Sequence, residues 1–154
     1  MTTAPQCGDR RAPLLIADEV IATGAHLSDH VVIAGAQQLE LLLALIRRGF
    51  ANVSCQSAAQ GPASAEGETD VLIVPSMADD ADLPQILQRL GCAVRHRGAL
   101  IIHGRAAGNS DGDCRLRQAL VQAGFTAIER VPSRDGLGDF WCAHKYGAAL
   151  AHAA

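Results

Sequence analysis

Three short, uninterrupted apolar runs constrain this chain more than any other feature. Val31–Ala34 (VVIA), Asp70–Val74 (DVLIV) and Ala99–His103 (ALIIH) carry no polar residue between their ends. Each is too short for a stable helix, and each is built largely from Val, Ile and Leu. A strand with one wet face alternates apolar and polar residues, so a strand apolar at every position must be covered on both sides. Central strands of a parallel sheet, with helices above and below, meet that requirement.

The stretches between the runs supply the helices. Residues 13–24 (PLLIADEVIATG) place Leu15, Ile16, Val20 and Ile21 on one helical face, with Pro13 in the first turn and Gly24 as the stop. Gln37–Arg48 is apolar over most of its surface and ends at Gly49. Asp79–Leu90 opens with Asp79, Asp80 and Asp82, which suit the positive end of a helix dipole. Asp113–Ala123 turns Leu116, Leu120 and Val121 inward, after a loop over 104–112. Phe50–Cys55 is a further strand, and 57–69 (SAAQGPASAEGET) is the longest interior loop. Phe125–Val131 and Asp139–Lys145 lie too close in sequence for a helical crossover and form an antiparallel hairpin. The expected architecture is therefore α/β: a doubly wound, mostly parallel sheet of about six strands, with a closing antiparallel hairpin and helices on both faces.

No internal repeat or linker divides the 154 residues, so 13–146 is expected to be one domain, flanked by tails at 1–12 and 147–154. The net charge of −3 offers no basic excess for nucleic acid. The longest apolar run, Leu41–Ile46, is far too short to span a bilayer, and the first residues lack a secretory core. A cytoplasmic protein is expected. Its five cysteines are an odd number with no CxxC pair, which favours reduced, buried thiols over a disulfide framework.

The order of elements resembles the class I S-adenosylmethionine-dependent methyltransferase fold. The likeness is carried by HVVIAG at 30–35, RRGFANVSC at 47–55, TDVLIVPS at 69–76, RGALIIHG at 97–104, and QAGFTAIERV at 122–131 followed by DFWCAHKY at 139–146. It implies cofactor contacts at Gly35, Ala36 and Gln37 after the first strand, Gln56 and Ser57 after the second, and Pro75 and Ser76 after the third. The chain departs from the family at each place. Of the usual glycine-rich turn only Gly35 remains, and Gln37 stands where a second glycine is expected. The acid that receives the ribose hydroxyls is replaced by Ser54-Cys55-Gln56-Ser57. About a dozen residues separate Cys55 from Asp70, so the family's third strand is missing. In family strand labels the expected order is 2-1-4-5-7-6, with 51–55 at an edge. An open edge invites pairing, so a homodimer covering this edge or the flanking helices is expected.

The candidates for chemistry each carry a second reading. His103 ends a buried strand at its carboxyl edge, as a general base for a bound ligand or as an imidazole bonded to a neighbouring loop. Asp79, Asp80 and Asp82 suit a metal or a base as well as a helix start. Met77 stands where some amino-methylating relatives carry an aromatic. Arg105 and the loop after it would close over a ligand or simply connect elements. His26, His30, His96, His144 and His152 lack metal-ligand spacing. Cys55 and Cys142 are expected to fill core space, and Phe140 and Trp141 to face opposite sides of the sheet. There is no P-loop, no GxGxxG and no GxSxG elbow. Three functions follow from this pattern: a methyltransferase-like module without catalysis that binds, regulates or assembles; a small methyltransferase with a variant cofactor loop; or a binder of another nucleotide or small metabolite. The cofactor is accordingly S-adenosylmethionine or none.

Overall fold

The computed structural model describes residues 11–34, 39–56, 68–74, 82–105, 110–131 and 139–145. Within them run α1 (Arg11–Ala22), β1 (His30–Ala34), α2 (Leu39–Arg47), β2 (Asn52–Gln56), β3 (Thr69–Val74), α3 (Asp82–Arg89), a single 3-10 turn (Gly91–Ala93), β4 (Val94–Arg105), α4 (Ser110–Gln122), β5 (Phe125–Val131) and β6 (Asp139–Lys145). The six strands form one sheet in the order β2-β1-β3-β4-β6-β5. With the family's third strand omitted, this is the expected 2-1-4-5-7-6. β2, β1, β3 and β4 are parallel, and β6 enters antiparallel between β4 and β5.

The apolar runs occupy the centre, as a two-sided core demands. Val31, Leu72, Ile73, Leu100, Ile101 and Ile102 are fully or almost fully buried. One side of the sheet is covered by α1 and α2, through Ile16, Ala17, Val20, Leu41, Ala44 and Leu45 against Val31, Ile33, Val71, Ile73 and Ile101. The other is covered by α3 and α4, through Leu87, Leu116 and Leu120, with Leu90 just after α3, against Val32, Leu72, Leu100 and Ile102. Phe140 joins the first layer and Trp141 the second, so adjacent residues of β6 do face opposite ways. Helices α1, α2 and α4 are each followed by a glycine of positive φ, at Gly24, Gly49 and Gly124, where a side chain would be strained.

β4 is longer than its apolar run. It begins at Val94, and its pairing with β3 shifts register between Thr69↔Val94 and Val71↔Ala99. β4 carries three more residues than β3 over this step, and Arg97 within the bulge has φ 68. Asp70 ties this bulge together. Its carboxylate accepts the His30 backbone N–H at 2.7 Å and pairs with the Arg95 guanidinium.

Several sequence expectations require correction. Residues 110–112 begin α4 rather than ending a loop. Phe50 precedes β2 and is buried in the core instead of opening the strand. Cys55 is exposed because β2 forms the sheet edge and has a neighbour on one side only. Cys92 and Cys114 are exposed as well, and of the described cysteines Cys142 alone is buried. Val121 and Ile21 face outward rather than into the core. Among the described residues no helix is long and apolar enough to cross a membrane, and no group of His, Cys, Asp or Glu could hold a metal ion.

Candidate functional site

All four parallel strands end on the same edge of the sheet, at Ala34, Gln56, Val74 and the stretch from His103 to Arg105. From β1 the chain passes through α2 to β2 on one side. From β3 it passes through α3 to β4 on the other, and on the opposite face. β1 and β3 are therefore neighbours whose connections diverge. Such a switch point leaves a crevice outside the strand ends, and this is where ligands settle in open α/β sheets.

Two of the sequence-selected site residues lie among those described. Gln56 closes β2 directly beside Ala34, with which it pairs across the ladder, and it is half-buried. His103 lies one residue past the end of the β3–β4 register, opposite Phe140 of β6. Its side chain is only 4% exposed, and its ring stacks on Phe140 with centroids 4.6 Å apart and planes tilted by 35°. Gly35, Ala36, Gln37, Ser57, Pro75 and Ser76, together with Met77, Asp79 and Asp80, lie outside the described residues.

A feature of the same region escaped the sequence. The guanidinium of Arg117, on α4, lies 5.2 Å from the Trp141 ring centroid, and that of Arg130, on β5, lies 5.7 Å from it. Trp141 is buried, so the two cations cap its indole. Arg130 pairs with Trp141 across the hairpin. That pairing depends on a second bulge between Thr126 and Glu129, which no local sequence signal marks. At the opposite end of the sheet a groove of about 410 Å³ is lined by Leu87, Gln88, Cys92, Ala119, Gln122 and Lys145. Lys145 is fixed there by donating to the Gly91 carbonyl at 2.9 Å.

Electrostatics sets Cys142 apart. Its thiol donates to a Glu19 carboxylate oxygen of α1 at 3.4 Å. Burial, reinforced by the nearby negative charge of Glu19 and Glu129, pushes its pKa up to about 12. It is a packed, protonated thiol and not a nucleophile at neutral pH.

No family model and no curated protein matches the chain in sequence. Comparison of folds is more informative. The chain is similar to the 1,6-didemethyltoxoflavin-N1-methyltransferase of Burkholderia thailandensis, solved with 1,6-didemethyltoxoflavin and S-adenosylhomocysteine bound. The TM-score is 0.66 and the identity 16%, over 91% of this chain and 80% of that one. The fold is that of class I S-adenosylmethionine-dependent methyltransferases. A candidate methyltransferase of this type from Methanococcus maripaludis matches over 96% of this chain and 98% of its own, at TM-score 0.64 and 9% identity. The tRNA (m1A58) methyltransferase of Aquifex aeolicus matches over 91% and 70%, at TM-score 0.63 and 12% identity. Gln56 ends β2 and His103 lies near the end of β4, on the same sheet edge as the strand ends Ala34 and Val74.

Proposed function

We propose that this chain is a methyltransferase-fold module that acts through association and does not transfer methyl groups. One observation carries the reading. Of the side chains described at the carboxyl ends of the parallel strands, Ala34, Val74 and His103 are buried, and the polar group with access to solvent is the neutral amide of Gln56. A carboxylate at that place would accept ribose hydroxyls through charge-assisted bonds, roughly twice as strong as those an amide accepts. A general base must come within about 3 Å of the proton it removes. The His103 ring instead packs beneath Phe140.

A second reading, a small S-adenosylmethionine-dependent methyltransferase, draws support from the bound S-adenosylhomocysteine in a structure of similar fold. Calorimetric titration with S-adenosylmethionine and S-adenosylhomocysteine separates the two. The association module is expected to bind either ligand no tighter than about 1 mM, a free energy near −4 kcal/mol. Micromolar binding would overturn it. A mutation of Gln56 to Glu that leaves the heat unchanged would place the deficit beyond this one residue.

A further inference from the structure

α2 is apolar on both of its faces. Leu41, Ala44 and Leu45 are buried against the sheet. On the far side of the same helix, Leu39, Leu43 and Ile46 are 61%, 40% and 50% exposed. At 100° per residue these three point directly away from the buried set. A surface helix normally carries polar residues there, and a helix apolar all round is normally covered. Leu27 borders the ridge, its side chain lying against Gly49 at the end of α2, and Leu14 and Ile21 are exposed on the adjoining α1.

We propose that this face is covered by the same face of a second copy, in a two-fold symmetric dimer built on antiparallel α2 helices. Two properties select a second copy over another occupant. The first is area. Six Leu and Ile side chains, each about half exposed, leave roughly 500 Å² of apolar surface per chain, near the upper limit for a monomer. Two such faces together remove roughly 1,000 Å² from water before any polar rim is added, which reaches the size of a specific interface.

The second property is self-complementarity. A two-fold contact must match a surface to itself, residue i meeting j and j meeting i. Glu40 and Arg47 are both exposed and stand seven residues apart, so they share one flank of the ridge at opposite ends of α2. An antiparallel pairing centred on Leu43 sets Leu39 of each copy against Ile46 of the other. It sets Glu40 of each copy against Arg47 of the other. A parallel two-fold pairing would place the Glu40–Arg47 flanks of the two copies on opposite sides of the seam and form no such pairs.

Sedimentation velocity on the purified full chain at micromolar concentration tests the proposal. A species of twice 16.1 kDa is expected. Leu43→Glu should convert it to a monomer with an unchanged circular dichroism spectrum. Glu40→Arg and Arg47→Glu should each weaken the dimer about tenfold, since each creates two like-charge contacts. The double exchange should restore it. A monomeric wild type would overturn the proposal, and so would single charge reversals that leave the dimer intact or a double exchange that fails to restore it. The measurement uses no ligand, so its outcome is independent of whether S-adenosylmethionine binds.

Discussion

Replacing Gly98 by Ala should be the most damaging Gly→Ala change among the described glycines. Gly98 lies within the β4 bulge, where the strand folds close against itself and against β3. A Cβ there would lie 2.6 Å from Val94 Cγ1, 2.8 Å from the Arg95 carbonyl oxygen and 3.0 Å from the Asp70 carbonyl oxygen. Val94 is packed in the core, and the other two atoms are backbone, so none can swing aside. Overpacking of this kind costs about 1–3 kcal/mol, and the loss here should lie at the upper end. For a chain of this size, about 3 kcal/mol corresponds to a fall in Tm of roughly 6–12 °C. Urea unfolding followed by circular dichroism measures it, with an unchanged m-value showing that the denatured state is unaltered. Gly24→Ala is the control. Its Cβ would meet no atom within 4 Å, and only its φ of +89 opposes the change. That backbone cost is about 1–2 kcal/mol. If Gly98→Ala proves milder than Gly24→Ala, the close approach at the bulge is wrong.

Other expectations follow from the same structure. Asp70→Ala should lower stability by about 2–3 kcal/mol, because it removes the acceptor of the His30 N–H and the partner of Arg95; an unchanged urea midpoint would contradict this. Leu45→Ala, at a fully buried position of α2, should cost about 2–5 kcal/mol in the same assay. In native protein at pH 8, iodoacetamide followed by peptide mass spectrometry should label Cys55, Cys92 and Cys114 well before Cys142, and equal rates would refute the buried thiol. Because the Cys142 pKa is raised from 9.0 to about 12 on folding, the folded state holds its proton longer. The associated stability is complete below pH 9 and is lost as pH rises toward 12. Cys142→Ser should flatten that part of the stability profile.

The elements legible in the sequence were those with a strong local signal. β5 and β6 have the expected limits, because Gly124 and the Pro- and Gly-containing sequence 132–138 punctuate them. The central strands were legible because burial on both sides permits no polar interruption. The start of β4 was not, since Arg95-His96-Arg97-Gly98 breaks the apolar run while the backbone continues through a bulge. The outward turn of Val121 and Ile21 was hidden for another reason. An apolar residue at the margin of a helical face reads the same whether it meets the sheet or borders a further surface. At the candidate site, the strand-end place of His103 was legible in the apolar run that it ends, and Gln56 was singled out by the family resemblance; both lie at strand ends. The burial of His103 beneath Phe140 was not readable, because it depends on which residue of a strand thirty-odd positions later pairs with it.

The place of β6 bears on how the chain can be made. It is the last strand among the described residues, yet it stands inside the sheet, between β4 and β5. While the chain emerges from a ribosome, Leu100, Ile101 and Ile102 of β4 have a partner on the β3 side only. Roughly forty residues separate the end of β4 from the end of β6, or about 2–8 s of synthesis at 5–20 residues per second. During that interval the apolar β4 edge that β6 will cover is open, and β5 lacks its partner strand. The sheet therefore cannot be laid down strand by strand from its beginning. Asp139–Lys145 pairs with β4 on one side and β5 on the other, so neither of those pairings can form before these residues are made.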